Sequence, residues 1–375
     1  MNIQKRFKNI YDSIVNGPAF SQLFFIGDQS NWVLSWEIKE IKEIARQLGI
    51  KTNESLSFGF IRQSIFYASK YILLNPITYL LFSSINSKIA FSYFHGYPGS
   101  GEPIAMTCYN NLKKYNRHIS RIQVSHSKMK NYVLETGIAS HKVFLIPIAV
   151  NPSFFNVQTK ESKKIARYRL GIPQQAVVIG SFQKDGVGKK EGMEPKFIKG
   201  PDTFIETIKL LKRKIPEIFI LLSGPARGYI KKHLEILKIP YKHIYLNHYP
   251  DICYLYDCLD LYIVSSREEG GPKAILESMT SGVPLVTTCV GQAMDLVDHE
   301  INAMMAPVEN AEQLAFYAQK VLDDSELTEK LVNNGLITAR QNTYSAHLAK
   351  WDQFFDGFVK KSENFGHIHH YSNQL

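Results

Sequence analysis

Two glutamates, Glu269 and Glu277, stand with seven residues between them, beginning with the run Gly270-Gly271-Pro272-Lys273. The chemistry these residues suit is the grip of a phosphorylated ligand. A buried strand is predicted over Leu261–Val264, a helix from Pro272, and a helix end at Gly282 with Pro284 just beyond. Proline suits a first helical position and glycine the residue past a helix end. The start of such a helix presents free backbone N–H groups and about half a positive charge, a site for phosphate or diphosphate. The two glycines let backbone approach a ligand closely. Lys273 adds a cation, Glu277 lies one turn further in where it can accept hydrogen bonds from ligand hydroxyls, and Glu269 precedes the helix and can reach the ligand's other side. By spacing alone the segment also fits a plain turn with two solvated acids.

The elements around this run must form a scaffold that holds it. From Val177 onward strands alternate with helices: Val177–Phe182, Ile218–Ser223, Ile244–Leu246, Leu261–Ser265 and Pro284–Thr288 are predicted strands, with helices between them. That alternation implies a parallel sheet covered on both faces, which binds ligands at the carboxyl ends of its strands. In the first half, strands are predicted at Leu23–Gly27, Ile89–Phe94, Arg121–Ser125 and Val143–Ile146. Helices are predicted at Trp36–Leu48 and Phe60–Leu74. The chain has 375 residues, and single cores stop growing at roughly 250–300, so two domains are expected. The boundaries drawn are an N-terminal α/β domain at 1–155, a second α/β domain at 156–343, a helix at 344–361 and a tail at 362–375.

The net charge of +10 favours an anionic partner. It does not choose among phosphorylated ligands, nucleic acid and acidic membrane. Four scattered cysteines without a CxxC pair suit reduced thiols. No leader-like apolar stretch opens the chain, and the most apolar run, Tyr71–Phe82, is broken by Asn75-Pro76 and too short to span a bilayer. A cytoplasmic protein, with any membrane contact peripheral, is the expectation. Arg62, Tyr67, Lys70 and Tyr71, on the predicted Phe60–Leu74 helix, are the candidate surface for an anionic membrane. A helix packed on the sheet is the alternative.

The Glu269–Glu277 spacing, followed by Ser281-Gly282-Val283-Pro284-Leu285-Val286, resembles the Glu-x7-Glu signature of retaining glycosyltransferases of family 4. The resemblance is dense over Val177–Val308 and weaker before it. It implies a GT-B fold, two Rossmann-like domains facing across a cleft, with the C-terminal helix returning to the N-terminal domain. It implies that Glu277 binds the donor ribose and Glu269 the donor sugar. The backbone amides of Gly271, Lys273 and Ala274 would hold the diphosphate, Pro272 having no N–H. Lys199-Gly200 matches the family's phosphate-clamping Lys-Gly. The partner Arg has no clear counterpart, and Lys184 is the candidate in its place. The insert Asp185–Ile198 is read as a mobile flap or a surface loop, and Arg227 as a phosphate ligand or a solvated residue.

In the first half, the resemblance sets His95, before Gly96-Tyr97-Pro98, against the donor sugar, with a structural histidine as the alternative. Gly27–Trp32 matches the family's glycine-rich loop loosely, and Ser125-His126-Ser127 is a further strand-end group. With Glu269, His95 and Lys199 as catalytic candidates, the implied reaction moves a sugar from a UDP- or GDP-linked donor to a hydroxyl of a carbohydrate or lipid-linked acceptor, with retention. No DxD motif is present, so neither a metal nor another cofactor is expected, and the histidines at 367, 369 and 370 have no partner carboxylate. The competing readings are a nucleotide-sugar epimerase on the same fold and a non-catalytic basic protein binding nucleic acid or membrane. No nucleic-acid-binding motif accompanies the basic residues.

Overall fold

The computed structural model describes residues 23–26, 33–54, 64–75, 87–100, 102–188 and 190–359. The loop Gly27–Trp32 and the tail histidines lie outside them. The first domain begins with β1 (Leu23–Ile26), α1 (Val33–Gln47), β2 (Thr52–Glu54) and β3 (Ser64–Tyr67). It continues through β4 (Lys88–Ser92), α2 (Ala105–Tyr115), β5 (Arg121–Val124), α3 (Ser127–Leu134) and β6 (Val143–Leu145). The strands pair in parallel in the order β2-β1-β3-β4-β5-β6. α1 forms as its periodicity requires: Ile38, Ile41, Ile44 and Ala45 fall on one face and are buried.

Over the described residues 64–74 the predicted Phe60–Leu74 helix is not formed, and residues 60–63 lie outside them. Ser64–Tyr67 is a strand buried at every position, and Lys70–Leu74 is a 3-10 turn capped by Ser69. A short apolar run closed on both faces carries no period that separates strand from helix, and its aromatic and branched residues suit the strand. Of the candidate membrane surface, Tyr67 and Lys70 are buried, Tyr71 is 51% exposed, and Arg62 lies outside the described residues.

The second domain runs through α4 (Lys160–Leu170), β7 (Val177–Ser181), α5 (Pro201–Lys212), β8 (Ile218–Ser223), α6 (Gly228–Ile236) and β9 (Tyr241–Ile244). There follow α7 (Cys253–Tyr256), β10 (Leu261–Val264), α8 (Lys273–Thr280), β11 (Leu285–Thr288), α9 (Ala293–Leu296), β12 (Met304–Ala306), α10 (Ala311–Asp323) and α11 (Ser325–Gln341). Its strands are parallel in the order β12-β11-β10-β7-β8-β9. The order reverses between β7 and β10, so the crevice at their carboxyl ends is where such a sheet takes its ligand. β10 and β8 are buried along their whole length, as strands covered on both faces must be.

The chain then returns. α12 (Leu348–Phe355) places Trp351, Phe354 and Phe355, all at most 1% exposed, in the first domain's core with Phe25, Phe66 and Ile41. Phe354 meets Phe66 and Phe144 edge-on at 5.8 and 5.1 Å. The two passages between domains touch, through a parallel bridge of Val150 with Thr343 and a 3.2 Å bond from Val150 N–H to Asn342 O. Among the described residues no helix is long and apolar enough to cross a membrane.

Candidate active site

The loop after β10 and the turn before α5 meet at the crevice. Gly200 has φ +61°, and a β-carbon there would lie 1.9 Å from the Ser265 carbonyl oxygen. Only glycine lets the Lys199 turn approach β10 so closely. The Ser265 hydroxyl donates to Gly200 O at 2.9 Å and closes the junction. Lys199 Nζ then reaches Glu269 Oε2 at 2.6 Å, and the Ser266 hydroxyl donates to Glu269 Oε1 at 2.9 Å. Arg267 braces the loop from outside, with a two-pronged bond to Asp202 at 2.7 Å on each arm and a further bond to Glu309.

Beside Lys199 stands a further cation, Lys196. Lys196 lies within electrostatic reach of Lys199, Glu269, Lys184 and Glu102, and burial, aided by the neighbouring ammonium groups, pushes its pKa down. Sequence reasoning passed over Lys196. Its one signal was its place three residues before Lys199, within a single turn.

The insert is packed rather than loose. Asp185 and Arg227 form an ion pair at 2.9 Å with side chains 1% and 0% exposed. Arg227 also donates to Ser181 O, Ser223 O and the Ser181 hydroxyl. Burial pushes the Asp185 carboxyl's pKa up, against the pull of Arg227. The carbonyls of Glu191 and Gly192 accept from the first N–H groups of α6 at 2.6 and 3.0 Å. Arg227 is therefore neither a phosphate ligand nor solvated: it fastens the insert that carries Lys196.

Glu277 is 3% exposed. Both its oxygens are taken: Oε1 accepts from the Tyr249 hydroxyl, and Oε2 from the Tyr256 hydroxyl at 2.9 Å. Burial raises the Glu277 pKa, opposed by Tyr249, Lys273 and Tyr256. Lys273 and Ala274 open α8 behind Pro272, which stands at the N-cap with extended backbone. The Lys273 ammonium turns to the first domain, 3.1 Å from Glu37 Oε2 and 2.8 Å from the Tyr344 hydroxyl. Gly271 packs against Gln292 and Ile148, and Gly270 against the Phe94 backbone, where β-carbons would collide.

The first domain closes over this loop. Gly96 N–H donates to Glu268 Oε1 at 2.8 Å, Ser125 Oγ to Gly270 O at 2.7 Å, and the Ser127 hydroxyl and N–H to Asp295. His126 caps α3 by accepting from Met129 N–H, and burial lowers its pKa to about 4. His95 follows β4, 43% exposed, with Nδ1 3.0 Å from Glu102 Oε2. One ligand atom each of His95, Glu102 and Glu268 lies within 4.8 Å of the others. The Lys70 ammonium already holds Glu102 at 2.5 Å and the Gly96 N–H holds Glu268, so a metal ion there would compete with a built-in cation. Between the domains, beside Glu268 and Glu269, remains a cavity of about 40 Å³, lined also by Tyr97, His126, Tyr132 and Gly291.

Two parallel α/β domains with a shared cleft and a C-terminal helix returned to the first domain make this a GT-B fold, the fold of a large group of glycosyltransferases. Comparison with known proteins agrees. Residues 194–337 match the family model for glycosyl transferases group 1. An uncharacterized glycosyltransferase of Methanocaldococcus jannaschii is 27% identical over 215 residues, 56% of this chain and 51% of that protein. The N,N'-diacetylbacillosaminyl-diphospho-undecaprenol alpha-1,3-N-acetylgalactosaminyltransferase of Campylobacter jejuni is 25% identical over 61% of this chain and 58% of its own. The chain thus spans about half the length of these curated relatives. Among solved structures, Anabaena Alr3699/HepE in complex with UDP and glucose superimposes with a TM-score of 0.72 at 15% identity, over 90% of this chain and all of that one.

Proposed function

We propose that the protein is a glycosyltransferase that moves a sugar from a nucleoside diphosphate donor to a hydroxyl of a carbohydrate or lipid-linked acceptor, with retention at the anomeric carbon. The single observation that carries this reading is the cradle at the switch point: Lys199 held on Glu269 at 2.6 Å, with Lys196 within electrostatic reach of both and of Lys184. Three ammonium groups and a helix start suit a leaving diphosphate, whose negative charge grows as the glycosidic bond breaks. The group 1 match, which covers Lys196, Lys199 and Glu269, supports it. So do the activity for which the Campylobacter jejuni relative is named, which acts on a diphospho-undecaprenol-linked sugar, and the UDP and glucose held by the Anabaena structure.

In this reading Glu269 meets donor-sugar hydroxyls and His95 faces the same sugar. The ribose takes Glu277, displacing the Tyr249 hydroxyl. The bond from the anomeric carbon to the phosphate oxygen breaks while a bond to the acceptor oxygen forms on the same face, and the acceptor's proton passes to the departing phosphate. Configuration is kept without a protein nucleophile, and no metal is called on. In this reading donor entry is coupled to movement of the two domains about the paired passages around Val150 and Thr343.

A thermal-shift screen against UDP, GDP, ADP and CMP and their sugars identifies the nucleotide. Lys199→Ala is expected to lower donor turnover about 10²-fold or more, the cost of losing one preorganised charge partner. Glu277→Ala is expected to weaken nucleotide binding. Unchanged rates and affinities in both variants would remove the assignment, and donor inversion of configuration in the product would remove retention.

A further inference from the structure

The catalytic reading leaves unexplained a buried lysine at the other side of the cleft. Lys70 is 3% exposed, an uncommon place for an ammonium group unless it is paired. It opens the 3-10 turn after β3 and crosses to the loop after β4, where it binds the His95 carbonyl oxygen and Glu102 Oε2 at 2.5 Å. The same Glu102 oxygen lies 3.0 Å from His95 Nδ1. Gly96 completes the arrangement: at φ +82°, a β-carbon on it would sit 2.0 Å from Lys70 Nζ and 2.1 Å from Glu102 Oε2. Two strand ends are thus joined through one carboxylate oxygen, and both the ring and the backbone of His95 are held.

From this geometry we infer that Lys70 and Glu102 are positioning residues that fix the orientation and tautomer of His95, so that the ring presents Nε2 as a hydrogen-bond acceptor to a hydroxyl of the donor sugar. The inference rests on the functional reading above for the identity of the ligand, and on the cluster alone for the state of the ring.

The protonation pattern follows by elimination. An ammonium group can only donate. Glu102 is held ionised, since its bonds to His95 and Lys70 outweigh burial and lower its carboxyl to about 2. An ionised carboxylate can only accept, so Nδ1 must carry the proton it shares with Glu102. In the neutral ring this leaves Nε2 with a lone pair. Lys70 adds a second effect. Its ammonium and the ring Nδ1 meet the same carboxylate oxygen, so Lys70 fixes the place of the acceptor that orients the ring. A sugar hydroxyl that donates to Nε2 keeps its oxygen free to accept from elsewhere in the cleft.

The test uses the full chain with Glu102→Leu, Lys70→Met, Glu102→Asp and His95→Ala. Ring ¹⁵N shifts of His95 report the tautomer without any ligand. Calorimetry compares UDP with UDP-glucose and GDP with GDP-mannose, separating the nucleotide's share of affinity from the sugar's. The expected result is an Nδ1–H ring in the native chain that changes to the Nε2–H form in Glu102→Leu. The nucleoside diphosphate should bind that variant as it binds the native chain. The sugar's added affinity should fall about tenfold, by the same factor as in His95→Ala, with no further loss in the double variant and partial recovery in Glu102→Asp. If Glu102→Leu does not fold, Lys70→Met carries the same measurements, with a changed ring state and a reduced sugar contribution expected. A native ring of the Nε2–H form, or losses that add in the double variant, would overturn the inference. Failure of all four nucleotides to bind the native chain would instead overturn the functional reading, while the ring shifts still decide the positioning.

Discussion

Asp185→Asn removes the counter-charge of a guanidinium that has no access to water. The Arg227 side chain is 0% exposed and Asp185 1%, with 2.9 Å between them. Breaking a buried pair by neutralising one partner costs about 3–5 kcal/mol, because the other charge stays behind uncompensated. Here the carbonyls of Ser181 and Ser223, at 2.6 and 2.7 Å, and the Ser181 hydroxyl still solvate Arg227. The low end, about 3 kcal/mol, is therefore expected. At about 2–4 °C per kcal/mol for a domain of this size, the melting temperature should fall about 6–12 °C.

The assay is urea unfolding at neutral pH, with the slope unchanged so that the shift in midpoint reads stability alone. Asp185→Leu combined with Arg227→Met removes both charges and should be less damaging than Asp185→Asn, since replacing a whole buried pair by apolar groups is often close to neutral. A loss below about 1 kcal/mol in the single variant, or a double variant that is worse than the single, would refute the reasoning. Because Asp185 is the root of the insert, the single variant should also weaken diphosphate binding through Lys196, whose backbone N–H donates to Asp185 O at 2.8 Å.

Gly200→Ala should lower both stability and donor turnover, since it combines a left-handed φ costing about 1–2 kcal/mol with a contact at 1.9 Å to backbone, and any relief moves Lys199 away from Glu269; crystal structures and donor kinetics of the variant check it. Glu102 has a depressed folded-state pKa, so its contribution is present above the ordinary carboxylate range and is lost as pH falls through that range toward about 2. The stability gap between the native chain and Glu102→Gln, measured by urea unfolding along a pH series, should therefore close on acidification. Tyr249→Phe deletes a bond to a buried carboxylate, a loss of about 1.5–3 kcal/mol in stability, yet it frees one Glu277 oxygen for ribose. Calorimetry should show nucleoside diphosphate affinity unchanged or raised, and a fall would mean that Tyr249 touches the ligand instead of competing with it.

The second domain was legible in sequence because its strands are covered on both faces and its turns are punctuated. Leu261–Val264 is apolar at every position, and Gly282 and Pro284 mark the end of α8. The Phe60–Leu74 reading failed for the same reason in reverse: an apolar, aromatic run of four buried residues has no polar face to reveal its period. Local pattern placed Glu269, Glu277 and the start of α8 at one strand end, and the family resemblance added Lys199. It could not find what depends on distant pairing. Nothing near Arg227 announces Asp185, forty-two residues earlier, and nothing near Lys273 announces Glu37 and Tyr344. Nothing local marks Tyr249 and Tyr256, whose hydroxyls the fold sets on Glu277. Electrostatic partners are chosen by three-dimensional closeness, which residue type and spacing do not encode.

The contacts that shut the cleft have a common character. Gly96 with Glu268, Ser125 with Gly270 O, Ser127 with Asp295, Ile148 with Gln292 and Glu37 with Lys273 are all polar. Apolar packing between the domains gathers near the passages, where Trp36 of α1 meets Phe154, His248 and Tyr249. Polar bonds are exchanged for water at a net cost of only about 0.5–1.5 kcal/mol each. A few such bonds make a closed state that holds without being locked, with the apolar contact left as a pivot. A change of domain arrangement needs a ligand with different affinity for the two arrangements, and only contacts that reach both domains can supply it. Glu268, which holds the first domain through Gly96, is the immediate neighbour of Glu269, so the loop after β10 carries a cleft-closing acid and a site acid side by side.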